Sequence, residues 1–536
     1  MEGTRHTFVF LILVGLVLLP EVAGSTTVES LGSIDFSNTG APEAQEAFNR
    51  GVLLLHSFEY ADAREAFQEA HAIDPSFAMA YWGEAMTHNH PLWRQQDRAA
   101  ARAALAKFAP TAEERLAKTS TDRERGYLAA LDVLYGDGDK MERDYAYSAV
   151  MRDLAARYPG DLEARSFYAL SILGTTQGVR DFRTFMRAGA VAEEVFAQNP
   201  RHPGAVHYLI HSYDDPVHAP LGLRAARVYA DIAPAASHAQ HMISHIYVAL
   251  GEWADSVESN VKAFEVGRER RERKELGVDA LSYHAFHWLE YSYLQLGRLE
   301  DARRIMDSMQ SYAEESRTDR SHWHYAAMRA NWAVETGGRD VPASLGGDSM
   351  SLNIAAMDLF ANAYTALLAE DQEAAQQALE QLAAARQAAT PTDPDNQRNV
   401  SADVSPATLE EAEVMEASLR ALLALEAGRT EEARELLDLA TAIEEARPLE
   451  YGPPSIPKPS HELYGEVLLG LGKPEEAIVQ FEKALERAPR RRLSLAGLAQ
   501  AAKAEGDQTM ADTACAELSS ILAGADPQFG RPGVCG

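Results

Sequence analysis

Hydrophobic residues recur every three or four positions along almost the whole chain, the spacing of one face of an α-helix. The stretch AQEAFNRGVLLLHSFEYADAREAFQEAHAIDP (residues 44–75) shows the pattern clearly, as two amphipathic segments separated by a short turn. Beyond the apolar N-terminal run, apolar and polar residues do not alternate in the manner of a β-strand. The sequence therefore predicts an all-α protein.

The helical pattern itself repeats, with a period of about 34 residues. Counted from Ala44, positions 8, 20, 24, 27 and 32 carry Gly51, Ala63, Phe67, Ala70 and Pro75. Counted from Lys458, the same positions carry Gly465, Ala477, Phe481, Ala484 and Pro489. Small and aromatic residues at these positions allow two antiparallel helices to pack closely and then turn.

These residues resemble the tetratricopeptide repeat (TPR), and more degenerate copies extend the resemblance over roughly residues 44–520. The resemblance implies helix-turn-helix repeats stacked into a right-handed superhelical solenoid with a long concave groove. The chain also contains the stretches HPGAVHYLIHSYDD and SHAQHMISHIYVALG. With the repeats, these stretches make the chain similar to a group of secreted bacterial TPR proteins. That similarity implies fold and export, and it implies no reaction.

The N-terminus has the three-part form of a secretory signal. An arginine precedes a run of 12 apolar residues, Phe8–Leu19, and small residues suited to cleavage lie near Gly24. The run is short for a membrane-spanning helix, and no later stretch is apolar enough to be one. We expect residues 1–24 to be removed and the mature protein to be extracytoplasmic, either periplasmic or secreted.

Breaks in the helical pattern divide the remainder of the chain. We expect an N-terminal linker (25–43), an N-terminal TPR superhelix (44–385), a loop (386–406), C-terminal TPR-like repeats (407–520) and a tail (521–536). The only two cysteines, Cys515 and Cys535, are expected to tie the tail to the last helix in a disulfide, with two free thiols as the alternative.

The chain carries 50 basic and 80 acidic residues, a net charge of −30. Binding to nucleic acid depends on clustered lysine and arginine, so this charge argues against a nucleic-acid partner. The simplest interpretation of the acidity is solubility.

Seven of the 17 histidines lie between His202 and His245. In TPR proteins, positions 2, 5, 9, 12 and 13 of the first helix face the groove. With the repeats registered by Pro234 and Ala302, seven histidines on three consecutive first helices occupy such positions. They are His207, His211, His238, His241, His245, His284 and His287.

The pairs His207/His211 and His241/His245 are spaced four apart, so each pair shares one helix face with Cβ atoms about 5–6 Å apart. This spacing suits two imidazoles on one ion. Two such pairs on neighbouring helices predict a shared site for a divalent transition metal, zinc, copper, iron or nickel, with Asp214, Asp215 and Glu290 as the nearest carboxylates.

Other functions remain open at this stage. A metal-free TPR scaffold would bind a peptide or partner protein in the concave groove, and clustered histidines also suit a pH-sensitive interface or general-base catalysis. A metal-dependent enzyme would need an open coordination position. The sequence identifies no catalytic residue, and its histidines do not form an HExxH motif.

Overall fold

The computed structural model describes residues 28–176, 180–346, 350–390, 405–449, 451–529 and 535. The predicted signal peptide and most of the predicted loop 386–406 lie outside the described residues. Within the described ranges the protein is built from α-helices, with one antiparallel pair of two-residue strands, β1 (Asn89–His90) and β2 (Gln95–Gln96). The all-α class predicted from the sequence is confirmed.

The N-terminal half contains sixteen of the described helices. They are α1 (Gln45–His56), α2 (Tyr60–Ile73), α3 (Ala78–Met86), α4 (Arg98–Phe108), α5 (Ala112–Lys118), α6 (Asp122–Leu134), α7 (Lys140–Arg157), α8 (Leu162–Gly174), α9 (Phe182–Gln198), α10 (Pro203–Tyr213), α11 (Ala219–Ile232), α12 (Ser237–Leu250), α13 (Trp253–Arg273), α14 (Tyr283–Gln295), α15 (Leu299–Ser316) and α16 (Asp319–Glu335).

The C-terminal part contains eight described helices. They are α17 (Leu352–Leu368), α18 (Gln372–Ala389), α19 (Pro406–Glu426), α20 (Thr430–Ala446), α21 (Ser460–Gly470), α22 (Pro474–Arg487), α23 (Arg492–Glu505) and α24 (Gln508–Ile521).

Consecutive helices pack as hairpins, and the packing explains the residues that repeat in the sequence. The buried ring of Phe67 on α2 lies where Gly51 on α1 and Gly83 on α3 present no side chain, and a Cβ at either glycine would collide with it. Phe481 on α22 has the same relation to two glycines, one on α21 and one on α23. The aromatic residue at position 24 therefore joins one repeat to the next.

The described part of the segment before α1, residues 28–43, packs against the helices. Leu31 and Phe36 are buried in the core, and the Phe36 ring packs against Trp82 at 5.7 Å between centroids. The Ser33 N–H donates to the carbonyl of Arg201 at 3.0 Å. The segment contains two 3-10 helices, Val28–Leu31 and Pro42–Ala44, and packs against α1, α3, α10 and α11.

The C-terminal repeats fold back onto helices α14 and α16 of the N-terminal half. Arg491, fully buried, pairs with Glu462 of α21 and with Glu335 of α16, both at 2.8 Å. It also donates to the hydroxyl of Tyr291 on α14 at 2.5 Å. Part of the predicted concave surface is consequently covered by the chain itself.

Two further features complete the fold. Cys515 of α24 and Cys535 form the predicted disulfide, with Cα atoms 5.4 Å apart. No helix in the described ranges combines the length and the apolar character needed to cross a membrane.

Candidate metal centre

The seven histidines predicted as ligands lie on three helices, α10, α12 and α14, each the first helix of its hairpin. α10 starts at Pro203, whose fixed φ suits a first helical position, and the preceding His202 accepts the Ala205 N–H at 3.1 Å. α12 ends at Gly251, which adopts the left-handed conformation (φ 69°). These ends fix the register that turns the histidines inward.

The structure sorts six of the seven into two groups of three. The first imidazole cluster is His207, His211 and His238, and the second imidazole cluster is His241, His245 and His284. In each cluster, one ring nitrogen of every residue lies within 4.8 Å of those of the other two. Each helical pair thus gains its third histidine from position 2 of the next first helix.

The two helical pairs lie close together, and Asp214 bridges them, because His211, Asp214 and His245 also have ligand atoms within 4.8 Å of one another. The ring centroids of His211 and His245 are 5.6 Å apart, at the junction between the clusters. His287 belongs to neither cluster and accepts a hydrogen bond from the amide of Asn331 at 3.0 Å. Two histidines four apart on one helix are spaced for a single ion. In each cluster the third histidine comes from position 2 of the next first helix, because the hairpins are stacked.

Two of the three histidines of the first imidazole cluster have their Nδ1 atoms held by acceptors. His207 donates through Nδ1 to the carbonyl of His56 at 2.6 Å, and Nδ1 of His211 lies 3.4 Å from Oδ2 of Asp214. A carbonyl and a carboxylate only accept, so the Nδ1 atoms carry the protons and the Nε2 atoms keep their lone pairs. The Nε2 atoms of His207, His211 and His238 are buried and have no hydrogen-bond partner among the described residues.

Two of the three histidines of the second imidazole cluster are held in the same way. His241 donates through Nδ1 to Oδ1 of Asn260 at 2.7 Å, and His245 donates through Nδ1 to Oδ2 of Asp214 at 3.0 Å. The Asn260 amide nitrogen donates to the Ser256 carbonyl at 2.9 Å, which orients its oxygen toward His241. The Nε2 atoms of His241 and His245 then face each other at 3.2 Å.

Burial favours the neutral form of His207, His238, His241 and His245. Burial lowers the pKa of His207, His238 and His241 well below 6.5, and the neighbouring imidazoles lower it further. Burial also lowers the pKa of His245, although Asp214 acts in the opposite direction. Neutral imidazole is the form that binds metal ions.

Asp214, in contrast, is held ionised. Burial acts to raise the pKa of its carboxyl group, but Arg180 and the hydrogen bonds from His211 and His245 outweigh burial and lower the pKa well below its usual range. The Arg180 guanidinium lies 2.5 Å from Oδ1 of Asp214. A carboxylate that accepts from a ligand's Nδ1 fixes the ring's tautomer and orientation.

Aromatic rings enclose both clusters. The Phe58 ring lies 4.2 Å from that of His207, and Trp93, which is 47% exposed, lies 5.6 Å from His238. Trp288 stacks on His245 at 4.4 Å, as does Tyr451 at 5.2 Å. This apolar shell limits access of water and strengthens electrostatic interactions inside it.

A third cluster, which the sequence interpretation missed, supports the first. Glu163 lies between His56 (2.6 Å) and His202 (3.0 Å), and all three side chains are fully buried. Burial acts to raise the pKa of Glu163, but the two histidines outweigh it and lower the pKa. Because these ring nitrogens have partners, the cluster is structural, and it fixes the carbonyl that holds His207. His56 occupies position 13 of the first repeat, one of the positions that face the groove, so the repeat register could have identified it from the sequence.

Comparisons with known proteins agree with the repeat architecture. Tetratricopeptide-repeat models match residues 44–77 and 459–491, the two segments in which the repeat is clearest. No curated protein sequence matches the chain. The chain thus contains tetratricopeptide repeats in these two segments, within a longer series of stacked helical hairpins.

Three solved structures illustrate what the chain is similar to. Yeast Tom70 is 11% identical, with 87% of this chain and 89% of that chain covered and a TM-score of 0.32. The human IFIT1 dimer is 12% identical, with coverage of 91% and 92% and a TM-score of 0.32. Cut9 in the APC/C hetero-tetramer Cut9–Hcn1 is 13% identical, with coverage of 88% and 78% and a TM-score of 0.34.

Proposed function

We propose that this TPR protein binds a divalent transition metal ion at the first imidazole cluster. The observation that carries the proposal is the set of three buried Nε2 atoms without hydrogen-bond partners among the described residues, on His207, His211 and His238. Each buried unpaired polar atom costs about 1–3 kcal/mol, so three in one place are unfavourable for a purely structural cluster. One bound cation satisfies all three.

The ligand set favours a metal of intermediate softness. Zn–N bonds of about 2.0–2.1 Å place two tetrahedral ligand nitrogens about 3.3 Å apart. The nitrogens of the cluster lie within 4.8 Å of one another, so any inward adjustment on binding is at most about 1.5 Å. His238, which is partly buried and does not bond to Asp214, has the freedom to make it. Zinc, copper, nickel and ferrous iron all accept imidazole.

The chemistry that such an ion would support depends on its remaining coordination positions. Three protein ligands leave one position open on a tetrahedral ion, the arrangement of catalytic rather than structural zinc sites. Asp214 is committed to the Nδ1 atoms and to Arg180, so it orients ligands and is not placed as a general base. The proposal therefore covers a metal-binding protein or a metal-dependent enzyme whose substrate enters at the open position.

We also propose that the protein lies outside the cytoplasm. This location is supported by the signal-like N-terminal sequence and by the disulfide of Cys515 with Cys535, since disulfides persist in oxidising compartments. The mass of the N-terminal peptide of the protein purified from its source organism tests the proposed location. We expect a mass that corresponds to cleavage near Gly24.

Binding of a peptide or partner protein is the second candidate function, and the TPR architecture itself favours it. TPR proteins commonly bind proteins. The fold-back at Arg491 covers the inner face near α14 and α16, so we place such a partner on the surface that the C-terminal repeats leave exposed. This function requires no metal, and replacing a buried histidine of the first cluster leaves it intact.

Calorimetric titration of untagged, EDTA-stripped full-length protein with zinc chloride tests the metal proposal. We expect His238→Ala to bind one equivalent of zinc fewer than the native protein by removing one of three ligands, and His322→Ala, outside both clusters, to bind as the native protein does. Equal stoichiometry and affinity for native protein and His238→Ala, or no binding by the native protein, would overturn the proposal.

A further inference from the structure

We propose that the second imidazole cluster is a second metal site and that Asp214 couples the two sites. The proposal rests on the function proposed for the first cluster. It adds a stoichiometry of two ions per chain and a dependence of each ion's affinity on the other site.

The case for the second site starts from the two facing nitrogens. Both Nδ1 protons are committed, that of His241 to Asn260 and that of His245 to Asp214. Neutral rings therefore direct two Nε2 lone pairs at each other across 3.2 Å, which is repulsive. Two imidazoles on one tetrahedral ion have nitrogens about 3.3 Å apart, so a shared cation turns the repulsion into coordination.

The third ligand is in place as well. The ring of His284 lies 4.6 Å from that of His241, and one of its nitrogens is within 4.8 Å of the ligand nitrogens of His241 and His245. Trp288 and Tyr451 both stack on the ring of His245, and Trp288 also lies 4.9 Å from the ring of His241. The second cluster thus has the same three-imidazole donor set as the first.

Coupling follows from the way Asp214 is shared. A single oxygen, Oδ2, faces Nδ1 of His211 from the first cluster at 3.4 Å and accepts Nδ1 of His245 from the second at 3.0 Å. The other oxygen is held by Arg180 at 2.5 Å, and the side chain is buried, so both oxygens have their partners inside the protein. Asp214 is a positioning residue for both sites at once.

The sign of the coupling is set by competition for that oxygen. A metal ion polarises its imidazole and strengthens the Nδ1–H bond to Asp214, which weakens the acceptor for the other ring. Two nearby cations also repel each other. We therefore expect negative coupling, with the second ion binding about 5–150-fold more weakly than it does alone.

Zinc counting by native mass spectrometry tests the stoichiometry. We expect two ions on the native chain, one on His284→Ala and one on His238→Ala. One ion on the native chain that survives in His284→Ala would overturn the second site and leave the first intact. No ion on any of them would overturn the function proposed for the first cluster as well, so the two failures are distinguishable.

Titration with cobalt(II), followed by absorbance, tests the coupling. Each single-site variant reports the affinity of one site alone, and we expect the second step of the native protein to be weaker than either. Asp214→Asn should weaken both sites about 10–100-fold and reduce the coupling to the part that comes from repulsion between the two ions. Asp215→Asn is the control, since Asp215 also pairs with Arg180 but otherwise bonds to His218.

Two results would overturn the coupling. One is a native protein whose two affinities equal those of the single-site variants, a measurement that does not depend on the folding of an Asp214 variant. The other is coupling of the same size in Asp214→Asn and in the native protein.

Discussion

Nε2 of His241 lies 3.2 Å from Nε2 of His245, while each ring donates its Nδ1 proton to a different acceptor. Two neutral imidazoles in this arrangement have no proton to place between the facing nitrogens. Burial disfavours the protonated rings that would supply one, because it lowers the pKa of both. The arrangement is the one that a shared metal ion requires.

Replacing Asn260 by alanine should weaken metal binding at the second imidazole cluster about 10–100-fold, because His241 loses the acceptor that fixes its tautomer. Asn260→Asp keeps an acceptor at the same place and should retain the native affinity. Cobalt(II) titration of both variants measures the effect. Equal loss in the two variants would indicate a packing defect rather than a role in orienting His241.

Replacing Gly204 by alanine should weaken the first imidazole cluster. The new Cβ would collide with Nδ1 of His56, whose carbonyl holds His207. His56 cannot retreat, since Glu163 and Tyr208 bond both of its ring nitrogens. Zinc affinity measured by calorimetry should fall. Gly470→Ala is the matched control, because a Cβ there meets no atom within 4 Å, and an effect of the same size in both variants would contradict this account.

The stability of the N-terminal repeats should depend on pH through Glu84. Burial acts to raise the pKa of Glu84, but hydrogen bonds from His71, Lys107 and Gln68 outweigh it and lower the pKa from 4.5 to about 2. Because the folded pKa is depressed, the stabilisation is fully present above pH 4.5 and is lost as the pH falls from 4.5 toward 2.

Glu84→Gln should therefore be less stable than the native protein at pH 7, by about 2–3 kcal/mol. The difference should shrink through pH 4 and vanish near pH 2. Urea unfolding followed by circular dichroism at a series of pH values measures it. A difference that is the same at pH 7 and pH 3 would show that the charge of Glu84 is not its cause.

Arg491→Met should destabilise the chain by about 3–5 kcal/mol, because it leaves Glu335 and Glu462 buried without this partner. The comparison is Lys473→Ala, which removes an exposed ion pair with Glu476 and should cost less than about 1 kcal/mol. Urea unfolding measures both. A loss below 1 kcal/mol for Arg491→Met would mean that the fold-back of the C-terminal repeats does not depend on this residue.

The sequence predicted what depends on local spacing. The 34-residue period identified the hairpins because Phe67 and Phe481 need glycines at fixed distances along the chain. The same period identified the inward histidines, because first helices repeat their orientation from one hairpin to the next. It also identified the disulfide, since the chain has only two cysteines.

What the sequence could not predict depends on distances between elements far apart in the chain. The division into two clusters needs the rise from α10 to α12 to α14, which joins His238 to the preceding pair and His284 to the next. Asn260 lies on the second helix of its hairpin, where groove positions give no signal. Arg491 lies in a short basic turn that resembles a solvated surface until the fold-back buries it.

The central claim is that the first imidazole cluster holds a metal ion through three Nε2 atoms. Anomalous diffraction from crystals of the untagged protein grown with zinc, recorded on both sides of the zinc absorption edge, tests it most directly. We predict an anomalous peak about 2.0–2.1 Å from Nε2 of His207, His211 and His238. Diffraction at the same concentration of zinc with no peak among these three rings would contradict the account.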